Sequence, residues 1–265
     1  MRHPAPVRLL TARLLAVVFA ATWLLLPGFG LVDLSVSWDP DWPVVLEASW
    51  GLVMTVLVGG SLLAVAVRLR TTAAAELTLL VTLTTWLLAA VAGLEEELLG
   101  FAGLLAVQLV LLSLLLPGRE RVRPVRWSPQ RPLLALGAVA TVPWVLHAGA
   151  MFARNRANVH EWHGDITMGT DHYAVQGGLA VSLVVLCVLA ALWPRGRRHL
   201  GVSTALAATY LGLVSLAHPA TDAALGTAWS ALAIGWGLAV GMLSLRPRSE
   251  VGELGGEVVE AERAL

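Results

Sequence analysis

The sequence predicts an all-α integral membrane protein: a bundle of eight transmembrane helices with both termini in the cytoplasm and a candidate 4+4 parallel internal repeat. Three observations carry this. Of the 265 residues, 57% are hydrophobic and only 14% are charged, against about a quarter charged in a soluble domain, so the chain has too little polar surface to coat a water-facing globule. Apolar runs recur along almost the whole length, which one leader peptide cannot account for. The runs are rich in Leu and Ala, without the two-residue alternation of barrel strands.

A hydrocarbon layer of about 30 Å takes roughly 20 apolar residues per helix. Eight runs qualify, at about residues 8–30, 46–67, 75–94, 97–117, 133–152, 173–194, 201–218 and 225–245. The first is read as a span rather than a cleaved leader, because no clear cleavage site follows it. The third and fourth are parted only by Glu95, Glu96 and Glu97, which predicts a tight helical hairpin.

Arginine orients the bundle. All 18 basic residues are arginine, and 16 of them fall in the N-terminus, the even-numbered loops and the C-terminal tail. Only Arg154 and Arg156 lie on the other side. The positive-inside rule makes the arginine-rich side cytoplasmic. The absence of lysine, with abundant Arg, Ala and Gly, is the composition of a GC-rich bacterial coding sequence, so the expected location is the bacterial cytoplasmic (plasma) membrane. It also excludes Schiff-base chemistry on lysine. Cys187, the single cysteine, sits within an apolar run and reads as a small buried hydrophobe.

Three segments are expected: a first four-helix half over residues 1–128, a second over 129–248, and an acidic, solvated tail over 249–265 with five glutamates and three glycines. Each half has a first span, a long outer loop, a second span, a basic inner loop and a pair of spans. Halves of four spans would insert in the same orientation. Gly237 and Gly241 form a small-xxx-small pair suited to close helix contact.

The outer side holds the titratable groups. Five of seven histidines and eleven of eighteen carboxylates fall there, Asp33 and Glu47 among the latter. Ionisable residues at helix ends in a membrane are costly unless paired, which makes them candidate functional groups. The first candidates for a ligand or metal site are His147, one turn or so below the outer end of the fifth span, Asp171 and His172 at the start of the sixth, and His218 and Asp222 around the turn between the seventh and eighth. Secondary candidates lie in the loop before the sixth span: His160, Glu161, His163 and Asp165. Imidazoles with carboxylates suit zinc, and nearby Met168 favours copper. The metalloprotease His-Glu-x-x-His spacing is absent, because His163 comes one position early, and nucleotide-binding and nucleophile-elbow fingerprints are absent too.

The leading functional expectation is a non-enzymatic membrane protein whose polar site, open to the outside, binds or passes a small ligand or a metal ion. The alternatives are a metal-dependent hydrolase or transferase acting on a lipid of the outer leaflet, with Glu161 or Asp165 as general base, and a scaffold or accessory subunit. The expected partners are the lipid bilayer and a membrane protein or a second copy of the chain. Zero net charge argues against nucleic acid.

Overall fold

In the computed structural model the described residues are 6–39, 41, 44–68, 72–116, 128–157 and 172–246. They are helical, with no strand among them, and eight helical stretches are long and apolar enough to cross a membrane. The chain is an eight-helix bundle. An even number of crossings brings both ends to one face, here called proximal; the opposite face is distal.

The elements are α1 (Pro6–Leu24), α2 (Gly30–Val36), α3 (Val44–Leu52), a π-helical segment (Val53–Gly59), α4 (Gly60–Val67), α5 (Ala73–Gly93), α6 (Glu97–Leu115), α7 (Arg131–Ala157), α8 (His172–Leu192), α9 (Arg197–Ala217) and α10 (Thr227–Leu245). Together α3, the π segment and α4 form the second span.

The first span departs from expectation. Apolarity alone runs it from 8 to 30, but α1 stops at Leu24 and a new short helix starts at Gly30. Pro27 and Gly28 lie between, and proline cannot donate the bond that would continue the helix. Gly28 and Gly30 then let backbone and side chains come close. A Cβ on Gly30 would sit 2.6 Å from Thr55 Oγ1 and 2.9 Å from the Trp23 carbonyl, and one on Gly51 would sit 2.8 Å from the Leu34 nitrogen. Thus α2 resumes the distal course of α1 and packs antiparallel along α3, and the break in the first span stands level with the π segment of the second. Trp50 seals this junction by donating from Nε1 to the Gly28 carbonyl at 2.7 Å.

The hairpin of the third and fourth spans forms as expected. Leu94 takes the left-handed conformation at φ 60° and ends α5, and Glu95 N–H closes on the Ala90 carbonyl at 3.0 Å.

Two spans occupy the centre. In Val44–Val67 and His172–Leu192, 67% of the most apolar stretch is buried, against 22–28% in the first, fourth, fifth and eighth spans. Those outer spans present large aliphatic residues such as Val139 and Leu146 outward, as lipid-facing helices must. Helix α8 packs on α3, α5, α7 and α9, so helices from the two halves of the chain interleave. A column of rings links five spans: Trp86, Trp23, Phe101, Trp50 and His172, with successive centroids 4.6–6.2 Å apart.

Lipid tails are as apolar as the helices, so contact between spans depends on close packing more than on escape from water. Helices α9 and α10 meet through glycines in this way. A Cβ on Gly237 would lie 2.5 Å from Thr209 Oγ1 and 3.0 Å from the Ala205 carbonyl, and Gly241 faces Ala205. The backbone carbonyl cannot retreat as a side chain can. Gly237→Leu is therefore expected to destabilise the bundle by about 1–3 kcal/mol, the usual cost of overpacking, read as a lower thermal midpoint in detergent, whereas Gly235→Leu, with open space around it, leaves it unchanged.

Candidate functional site

The distal ends of α2, α3 and α8 enclose an acid–base cluster. His172, the first residue of α8, lies flat on the indole of Trp50, with centroids 4.6 Å apart and planes 13° from parallel. Its Nδ1 is 3.7 Å from Glu47 Oε1, and both side chains are almost fully enclosed, at 5% and 4% exposure. Helix geometry brings Glu47 and Trp50 there together, since residues three apart share a face.

Asp33 completes the cluster from α2, which lies outside the eight apolar spans. It is buried, and the desolvation, the negative charge of Glu47 and a hydrogen bond between the two carboxyls push its pKa from the ordinary 3.8 to about 8. Asp33 Oδ2 and Glu47 Oε1 are cut off from solvent with no hydrogen-bond partner among the described residues. Glu47 therefore stands between an imidazole and a second carboxyl, and such a set can hold, share and pass a proton, because the second negative charge in such a space is expensive.

A second network borders the first. Asn155 on α7, fully buried, accepts the Ala174 N–H through Oδ1 at 2.7 Å and donates through Nδ2 to Glu95 Oε2 at 2.9 Å and to the Gly93 carbonyl at 3.3 Å. One amide thereby caps α8 and ties it to α7 and to the α5–α6 turn. One helical turn after His172, Gln176 donates to His147 Nε2 at 3.1 Å and to the Ala223 carbonyl at 2.9 Å. Since an amide nitrogen only donates, His147 Nε2 is the acceptor. Tyr173 packs with Leu46, Met151 and Ala223 between the two networks.

The residues singled out from the sequence distribute as follows. His172 is at the centre, on Glu47. His147 stands by Gln176, well below the distal end of its helix: α7 runs on to Ala157 rather than stopping near 152, leaving about 15 Å beyond His147. The extension is held because Arg154 pairs with Asp222 and Arg156 donates to the Ala92 carbonyl. Asp222 also accepts the Ala223 N–H at 2.8 Å. His218 is apart, against the ring of Trp38 at 6.3 Å, where Trp38 donates to Tyr210. His160, Glu161, His163, Asp165 and Asp171 lie outside the described residues. Among the described residues no three His, Cys, Asp or Glu side chains are grouped to hold a metal ion.

Glu47, Asp33, Asn155 and Gln176 were not among the leading candidates. The available signal was depth: Glu47 falls within an apolar run, where a carboxylate is rare. Nothing local pairs it with a histidine so distant in the chain.

Comparison with protein families, with curated proteins and with solved structures gives no match. The class of the protein is therefore defined by its own architecture: a multi-pass membrane protein whose central helices bury an acid–base cluster at one end.

Two outcomes follow. Between the ordinary carboxyl range and about pH 8 the folded state keeps a proton on Asp33 that the unfolded chain has lost, so its contribution to stability falls as pH rises through that window. The thermal midpoint in detergent should drop from about pH 5 to about pH 8, and Asp33→Asn should flatten the profile. Asn155→Leu strands the buried Ala174 N–H, and is expected to cost about 1–3 kcal/mol for that unpaired group, measured by chemical or thermal unfolding.

Proposed function

We propose that this protein binds or passes a small ion at a distal, extracytoplasmic site built from Glu47, His172 and Asp33, and that the ion is the proton. The observation that carries the reading is the Glu47–His172 contact: a carboxyl and an imidazole at 3.7 Å, both almost fully buried. Each is expensive to bury in an apolar bundle, and each titrates. Glu47, with His172 on one side and the Asp33 carboxyl on the other, has the composition of a proton-binding site. The donor set in reach, two carboxyls and one stacked imidazole, favours a proton over the zinc or copper that the histidine count suggested.

His147, Asp222 and, next to His172 in the chain, Asp171 border this site in the proposal, with His218 at the rim. The orientation rests on the arginines: with 16 of 18 on the side of the termini, both termini are cytoplasmic and the cluster faces out. The proposed location is the plasma membrane of a bacterium.

The test is a proton count. Purified protein in detergent is stepped between about pH 5 and about pH 9, and an indicator dye reads the protons taken up. The double variant Glu47→Gln with Asp33→Asn should lose at least one proton of uptake while retaining a cooperative melt. Equal uptake in a folded variant would remove the site from consideration.

A further inference from the structure

We propose that the second span is the axis of a proton path across the membrane, entered at Glu47 and His172 and left at Ser61 and His199. This rests on the proton-binding reading of the distal cluster and extends it from binding to transfer.

The argument begins from a symmetry of contacts. The second span carries a buried polar residue near each end, and each meets an imidazole from the second half of the chain. At the distal end Glu47 faces His172 at 3.7 Å. At the proximal end Ser61 Oγ and His199 Nε2 are 3.2 Å apart. His172 opens α8 and His199 lies in the first turn of α9, so the length of α8 separates them, about 30 Å. That is the thickness of the hydrocarbon layer. Imidazole can accept a proton on one nitrogen and release one from the other, and here one stands at each face.

The interior between them is polar in a particular way. Thr55 lies between Glu47 and Ser61 on the same span, in the π segment, and its Oγ1 is shut off from solvent with no hydrogen-bond partner among the described residues. Trp86 Nε1, beside Trp23, is in the same condition. Thr55 Oγ1 and the Trp23 carbonyl converge on the space a Gly30 side chain would fill, at 2.6 and 2.9 Å. On the facing side of the bundle Thr85 and Ser182 share a hydrogen bond of 2.8 Å. Buried polar atoms are almost always paired, with ordered water supplying the partner where protein does not. The orphaned atoms at mid-depth mark where water completes the path, and the break in the first span beside a π turn is the irregular backbone that accommodates it.

The transfer balances simply. Protonated His172 gives its proton to the Glu47 carboxylate. Glu47 passes it to a file of waters running past Thr55, which relays it to His199, and His199 releases it at the proximal face; Glu47 returns to its ionised form. One positive charge crosses per event and no other reactant is consumed. The titratable and charged groups around the two ends are Glu47 and Asp33 at His172, and Arg68, at the end of α4, at His199.

The full-length protein is reconstituted in phosphatidylethanolamine–phosphatidylglycerol vesicles holding a pH-sensitive dye. A potassium diffusion potential set with valinomycin drives protons inward. Wild type should acidify the lumen faster than protein-free vesicles, and Glu47→Gln and His199→Gln should each bring the rate back to the protein-free level. His199→Gln guards against loss of fold at the distal cluster, because it leaves Glu47 and His172 untouched; its melt is measured alongside. Thr55→Val should slow the flux and Thr55→Ser restore it. Wild-type vesicles no faster than empty ones, or folded His199→Gln as fast as wild type, would overturn the path. If the distal proton count in detergent persists in that case, binding stands and only transfer fails.

Discussion

The contact between His172 and Glu47, with Trp50 as the floor beneath the imidazole, is the constraint around which the other helices are arranged. Neither group can be buried alone in an apolar bundle at acceptable cost, and neither is on a helix that could withdraw to solvent without opening the centre. The second span and α8 are the two most enclosed helices, and this acid–base pair fixes their relative height. The aromatic column that runs from Trp50 through Phe101 and Trp23 to Trp86 then takes its position from the same indole. A change of charge at this pair would therefore fall where several spans meet, which is how a titration there would reach their packing.

Around that pair the distal end is tied by a small number of amides. Asn155 serves three elements with one side chain, and Gln176 joins α7, α8 and the α9–α10 turn. In lipid, an unsatisfied polar group has no water to fall back on, so each of these bonds sets a register between helices whose apolar surfaces are nearly interchangeable. The exposed Arg154–Asp222 pair adds direction more than stability, since surface ion pairs contribute little.

Glycine does for the rest of the bundle what the polar bonds do at its end. Where α9 meets α10, and where α2 folds onto α3, the close approach is made by omitting a side chain rather than by adding one. The two devices are complementary. Polar pairs specify height along the membrane normal, and glycine contacts specify which faces meet. The π turn at Val53–Gly59 falls where the two meet, beside the broken first span, and leaves the Thr55 hydroxyl without a hydrogen-bond partner among the described residues.

Much of this architecture was legible in the residues alone. Eight apolar runs and the three glutamates between the third and fourth are local properties, and hydropathy reads them because the energy of burying a residue in lipid is nearly additive along a helix. His172 as a candidate was legible for the same reason, as a costly residue at a helix end, and the Gly237–Gly241 pair by its spacing. The break after Leu24 was half-visible in Pro27 and Gly28, but apolarity carried the first span past it. What only the tertiary structure decided is pairing. That Glu47 meets His172, that Asp33 comes up beside Glu47 on a helix packed along α3, that His147 lies deep because α7 continues to Ala157, and that Ser61 meets His199 are all consequences of which helix faces touch. Leu- and Ala-rich helices look alike in every direction by composition. Their faces are chosen by packing and by the few polar groups that must find one another, and those interactions join residues far apart in the chain.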